Sequence, residues 1–197
     1  MEGGIDAWRG VVATGGYDHG LWTLKGVRRS VDVISLALAL EEGARIFYGR
    51  VREILPDGEA KGLFGSLVKA EEEHKRRLAE AYSAMASGSG EEIPAENETL
   101  KGFMEGPFSI DETLKWVSAP GRTYLEVVEL SMQVESDSLD FYLKIAGREE
   151  FTPVRDILEG LIRDEKAHLR RLGAHLEKAF ESRGHDLPEP LDGKELP

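Results

Sequence analysis

Two sets of residues with metal-ligand chemistry recur in this chain at one spacing. Glu41 stands six residues before Phe47-Tyr48, and Glu71-x-x-His74 begins 30 residues after Glu41. Glu135 stands six residues before Phe141-Tyr142, and Glu165-x-x-His168 begins 30 residues after Glu135. The second set is displaced from the first by 94 residues, and His74-Lys-Arg-Arg-Leu78 echoes His168-Leu-Arg-Arg-Leu172. Four carboxylates and two imidazoles, one Glu or one Glu-x-x-His per helix, are what a pair of iron or manganese ions needs. Side chains three apart share a helix face. A Glu-x-x-His carboxylate can therefore bridge two ions while its imidazole binds one.

The repeat also chooses among neighbouring acids. Glu41 aligns with Glu135, whereas Glu42 aligns with Ser136. Glu71 aligns with Glu165, whereas Glu72 and Glu73 align with Lys166 and Ala167. The predicted ligands are thus Glu41, Glu71, His74, Glu135, Glu165 and His168, with Glu42, Glu72 and Glu73 outside the shell. A single Glu-x-x-His on a Glu-rich helix is more often a surface pair than a metal site. A surface pair does not explain why acids recur on an apolar face: Val128 and Met132 share the side of Glu135, and Leu139 and Tyr142 follow. A carboxylate there is costly unless paired or metal-bound. Tyr48 and Tyr142 fall seven residues after a ligand Glu, placed either to hydrogen-bond ligand carboxylates or to pack as core. His175 follows His168 by seven, but its counterpart is Ala81, so it is read as a non-ligand. His19 and His185 receive no role.

Four long helices must position these groups. Ser30 is the expected cap of a helix running to about Leu55, where Pro56-Asp57-Gly58 supplies a turn. A second runs from Glu59 to Ala86. Thr123-x-x-Glu126 reads as a capping box opening a third, to about Ala146. Thr152-Pro153 reads as a cap and first helical residue for a fourth, ending near Ser182. Short turns make each pair antiparallel. The polar stretch 88–122, with short helical pieces expected near Leu100–Met104 and Ile110–Val117, is left to cross over. A helix of about 24 residues is roughly 36 Å long, which extended chain spans in about 11 residues. The expected fold is therefore all-α: two antiparallel helix pairs joined by a long crossover, within residues 30–183. Residues 1–29 are read as an irregular arm and 184–197 as a flexible tail.

Composition narrows the chemistry. At 197 residues one core is expected. The net charge of −12 argues against nucleic acid or an anionic membrane as partner. The absence of cysteine excludes disulfides, zinc ribbons, rubredoxin-type iron sites and thiol catalysis within these residues. No apolar run approaches membrane-spanning length, so a cytoplasmic protein is expected.

The motifs Ala39-Leu-Glu-Glu42 with Phe47-Tyr48, Ala70-Glu-Glu-Glu-His74, Val134-Glu135 with Phe141-Tyr142, and Asp164-Glu-Lys-Ala-His168 resemble the rubrerythrin branch of the ferritin-like superfamily. The resemblance covers about residues 30–182. It implies a four-helix bundle with a non-haem di-iron centre at the six residues named, acting as an oxidoreductase on hydrogen peroxide or oxygen in oxidative-stress defence. Two departures stand out. Typical rubrerythrins carry a further Glu three residues after the ligand of the third helix, and this chain has Ser138. The rubredoxin-like electron-transfer domain is absent from these residues, so electrons are expected from a separate donor such as a rubredoxin-like protein. A homodimer is expected. Gly3-Gly-Ile-Asp-Ala-Trp8 resembles the closing segment of a rhodanese domain, as in a fragment of a rhodanese–rubrerythrin fusion. Other functions fit the ligand set: iron oxidation for storage, a di-manganese catalase-like centre, or a non-catalytic module that metal holds together.

Overall fold

The computed structural model describes residues 27–55, 58–86, 102–104 and 109–183. The segment resembling rhodanese, most of the N-terminal arm, the tail after Arg183, His19 and His185 lie outside these residues. The elements are α1 (Ser30–Ile54), α2 (Glu59–Ala86), α3 (Ile110–Val117), α4 (Tyr124–Ala146), a 3-10 helix (Glu149–Val154) and α5 (Arg155–Arg183). Among the described residues no helix is long and apolar enough to cross a membrane.

Local chemistry sets the helix ends. Ser30 proves to be the first residue of α1 rather than its cap. Arg29 takes the cap position, and the Asp32 carboxylate, at the third helical position, accepts the Arg29 backbone N–H at 3.0 Å. Leu55 leaves the helix with extended backbone, as the following Pro56 requires. Gly58, at φ 135°, supplies the turn into α2. At α4 the reciprocal box forms: Glu126 N–H donates to Thr123 Oγ1, and Thr123 N–H donates to Glu126 Oε2 at 2.8 Å.

The start of the last helix differs from expectation. Thr152 Oγ1 donates back to the Glu149 carbonyl at 2.7 Å, so its hydroxyl closes a 3-10 turn instead of capping. Pro153 sits inside that turn, and α5 begins at Arg155. Phe151 and Val154, both buried, pin the turn to the core. The expected helical piece at Leu100–Met104 is also corrected where it is described. Gly102 takes φ 87°, Ile110 N–H donates to its carbonyl, and Phe103 bridges Ser109 antiparallel. A left-handed residue interrupts a helix there.

Side-chain bonds fix the topology. Tyr48 reaches Glu135 while Tyr142 reaches Glu41, so α1 and α4 run antiparallel. Lys178 meets Glu59, Arg171 meets Ser66 and Asp164 meets Arg77, so α2 and α5 do likewise. With α1 antiparallel to α2 through the Gly58 turn, α2 and α4 must run parallel. The chain therefore returns along the bundle between Ala86 and Thr123. Residues 102–104 and α3 belong to that return. The Phe103 carbonyl lies where a Cβ on Gly43 would be, so this strap touches α1 at a position that only glycine leaves open.

The core falls into two apolar layers. One includes Ile34, Ala37, Leu78, Tyr142, Ile145, Leu158 and Leu161. The other includes Phe47, Tyr48, Phe64, Leu67, Val128, Val134 and Leu172, joined by Ile110, Leu114 and Val117. Along α1 the first layer ends at Leu40 and the second begins at Ala44. A polar layer lies between them.

Candidate metal centre

That polar layer is made of the six repeated residues. Glu41, Glu71, His74, Glu135, Glu165 and His168 are each at most 4% exposed. Burying four acids together is expensive unless they are paired or hold cations. They form two groups, Glu41 with His74 and Glu165, and Glu71 with Glu135 and His168, whose donor atoms lie within 4.8 Å of one another. The 94-residue displacement exchanges one group for the other.

The two kinds of carboxylate sit differently. Glu41 Oε2 lies 2.9 Å from His74 Nδ1, and its Oε1 accepts the Tyr142 hydroxyl. Glu135 Oε2 lies 2.9 Å from His168 Nδ1, and its Oε1 accepts the Tyr48 hydroxyl at 2.6 Å. Each of these acids thus faces one histidine and is steadied by a tyrosine from the facing helix. Glu71 and Glu165 instead span the centre. Glu71 offers one oxygen 3.1 Å from His74 Nδ1 and the other 3.8 Å from His168 Nδ1. Glu165 offers oxygens 3.6 Å from His74 and 3.3 Å from His168. The imidazoles stack with centroids 5.3 Å apart. Terminal acids beside single histidines and shared acids between them match a two-ion shell.

Both oxygens of Glu165 are buried without a hydrogen-bond partner. An ionised carboxylate left so would cost several kcal/mol. A cation satisfies it, and a set of four carboxylates and two imidazoles suits iron or manganese. The residues present therefore fit the group that the motifs imply.

Electrostatics divides the acids in the same way. Burial disfavours every charge here. At Glu41 and Glu135 it is outweighed by the adjacent histidine charges and by hydrogen bonds, including those from Tyr142 and Tyr48, which hold both carboxyls at about 2. Glu71 and Glu165 are pushed well above the usual range by burial and by the charges of Glu41 and Glu135. Burial alone would lower the histidines, but the facing carboxylates raise both to about 9.

The neighbouring residues divide clearly. Glu42 is turned to Arg45 and Lys75, and Glu72 and Glu73 are exposed. His175 sits against the Tyr124 ring edge, 3.9 Å from Glu59 and outside both groups. Tyr48 and Tyr142 combine the two roles weighed for them, being fully buried in the apolar layers and bonded to Glu135 and Glu41. Ala44 and Ser138, related by the repeat, line a small pocket with Tyr48, Val134, Glu71, Glu135 and Glu165. Sequence reasoning gave no role to Asp164, whose Oδ2 stands 3.6 Å from Nε2 of His74 and accepts from Arg77. Its only signal was the adjacent pair Asp164-Glu165, which the repeat discounts because the counterpart of Asp164 is Ala70.

Comparison with known proteins agrees with this geometry. The family model described as Rubrerythrin matches residues 32–176, more than half of the chain. No curated protein and no solved structure matches it. The chain belongs to the rubrerythrin family, a ferritin-like helical bundle with buried Glu/His clusters suited to metal.

Proposed function

We propose that this rubrerythrin-family chain is a cytoplasmic non-haem di-iron oxidoreductase that reduces hydrogen peroxide or oxygen in defence against oxidative stress. The observation that carries the reading is the paired arrangement of the six residues, with Glu71 and Glu165 shared between two histidine-bearing halves. Glu41, His74 and Glu165 would hold one ion and Glu71, Glu135 and His168 the other. Bound iron supplies electron transfer and Lewis acidity. The protein supplies the rest. Tyr142 and Tyr48 each hold one oxygen of a terminal carboxylate, which keeps the other turned inward. Apolar layers on both sides keep water from the centre. Ala44 and Ser138 are small and line the pocket beside Glu71 and Glu165. Ser138 also places a hydroxyl there that can hold a proton at Oγ.

Reduction of hydrogen peroxide to two waters takes two electrons and two protons. The chain has no cysteine to hold a rubredoxin-type iron, so the electrons are assigned to an external donor such as a rubredoxin-like protein. A second reading, iron oxidation for storage, is favoured by Ser138. A hydroxyl there is a poor anionic ligand and does not help restore the reduced state between turnovers. The two separate by experiment. Protein loaded with ferrous iron under anaerobic conditions is mixed rapidly with hydrogen peroxide and followed by absorbance, then supplied with an electron donor. Repeated turnover supports the oxidoreductase. One oxidation event without turnover supports iron handling, and failure to bind two irons per chain removes both.

A further inference from the structure

The centre is symmetric in its six donors but not in what stands behind the histidines. Behind His74, Asp164 Oδ2 lies 3.6 Å from Nε2, and Arg77 donates to that same oxygen. Asp164 is half-exposed, and Arg77 is its partner across α2 and α5. The repeat carries this arrangement to His168, Ala70 and Arg171. Alanine offers no acceptor, and Arg171 turns instead to Ser66 Oγ at 2.9 Å. Among the described residues nothing accepts from Nε2 of His168.

A histidine that presents Nδ1 to a metal carries its proton on Nε2. An acceptor at Nε2 fixes that tautomer, locks the ring's rotation and makes Nδ1 a better donor. Loss of such a partner typically costs 10–100-fold in metal affinity. Among the described residues, this chain brings a carboxylate within 3.6 Å of that nitrogen at His74 and none at His168.

We propose that Asp164 is a positioning residue that makes the two metal positions unequal, so that the Glu41–His74–Glu165 group takes a divalent cation before the Glu71–Glu135–His168 group. The proposal rests on the reading that the six residues hold two ions. It assigns no further ligand. Arg77 holds Asp164 in place, and the asymmetry lies in the residue before each Glu-x-x-His, aspartate in one half and alanine in the other.

The test is a titration of the full, metal-free chain with manganese(II), with free ion counted by its electron paramagnetic resonance. Wild-type protein is expected to bind in two steps, the first about 10–100-fold tighter. Asp164→Ala should weaken the first step by about tenfold or more and leave the second within about twofold. Ala70→Asp should tighten the second step by about tenfold and leave the first nearly unchanged, because it builds behind His168 what Asp164 builds behind His74. Repulsion between two bound ions also separates the steps, but neither substitution alters it. Equal weakening of both steps in Asp164→Ala, or no effect of either variant, would overturn the proposal. Should Asp164→Ala lose its helical circular dichroism, the Ala70→Asp arm decides. Two ions bound in wild type with both variants silent removes the asymmetry alone, whereas no binding in wild type removes the two-ion reading and the asymmetry with it.

Discussion

Adding two divalent ions to the metal-free protein at pH 7 should expel at least about two protons. The count comes from the buried layer. Without metal, Glu41 and Glu135 are ionised, held at about 2 by their histidines and tyrosines despite burial. His74 and His168 are protonated, raised to about 9 by those carboxylates against burial. Glu71 and Glu165 are pushed up toward the neutral acid by burial and by their charged neighbours. Two divalent ions with four carboxylates and two neutral imidazoles sum to zero charge. Metal binding therefore requires each histidine to give up one proton, and any proton held by Glu71 or Glu165 leaves as well. By linkage, the product of the two binding constants should rise at least about 100-fold per pH unit near pH 7. Near pH 9, where each histidine is half deprotonated, the histidine share should fall to about one. Calorimetric titration with manganese(II) in buffers of different ionisation enthalpy measures the number directly. Fewer than about two protons at pH 7 would refute the reasoning, since the histidines alone account for two.

Five further outcomes follow from the structure. The metal-free form should lose stability as pH rises from about 6.5 to 9: the raised histidines contribute fully below 6.5, and that contribution is gone above 9. Raised Glu71 and Glu165 add to the decline, since ionising them in place costs energy. Melting curves against pH check this, and a flat profile counts against it. His168→Ala should weaken metal binding and peroxide oxidation together, whereas His175→Ala, which sits against Tyr124 and Glu59 outside both groups, should change neither; equal loss in both refutes the assignment. Ser138→Glu should raise steady-state peroxide turnover, because it sets a carboxylate one helical turn beyond Glu135 on the pocket wall; fast wild-type turnover that the variant leaves unchanged would sink this. Gly43→Ala should destabilise by about 1–3 kcal/mol in denaturant unfolding, because its Cβ meets the Phe103 carbonyl. Gly49→Ala, with open space around it, should instead stabilise by about 0.5–1 kcal/mol.

The long helices were readable because their signals are local. Apolar residues at helical spacing place Ile34, Ala37, Ala44 and Tyr48 on the face of Glu41, and the Thr123–Glu126 box needs only residues three apart. What escaped the sequence depends on a choice between competing partners. Thr152 had two uses for its hydroxyl, capping a helix or closing the preceding turn, and burial of Phe151 and Val154 fixes the turn. The cap position falls to Arg29 rather than Ser30, because the Asp32 side chain reaches back to hold the Arg29 amide. The strap over Gly43 was equally hidden: a glycine inside a helix signals only a missing side chain, and its partner carbonyl is 60 residues away in sequence.

The site was readable for a different reason, and its omission follows from the same cause. Repetition at 94 residues separates residues that must obey a common geometry from those that merely share a type. It selects Glu41 over Glu42 and Glu71 over Glu72, and in the fold the selected acids are buried while Glu42 turns to Arg45 and Lys75. It pairs Tyr48 with Tyr142, and each proves to bond the opposite half's acid. But a filter built on symmetry must discard whatever makes the halves differ. Asp164 aligns with Ala70, Ser138 with Ala44 and Asp137 with Gly43, and all three contrasts lie within a few residues of the donors. The shared positions describe what any two-ion bundle requires. The unshared ones place Asp164 behind His74, a hydroxyl on the pocket wall and the Phe103 carbonyl against Gly43. Symmetry therefore picks out the six residues that the fold buries together, while the departures from symmetry bear on what distinguishes this layer from others of its kind.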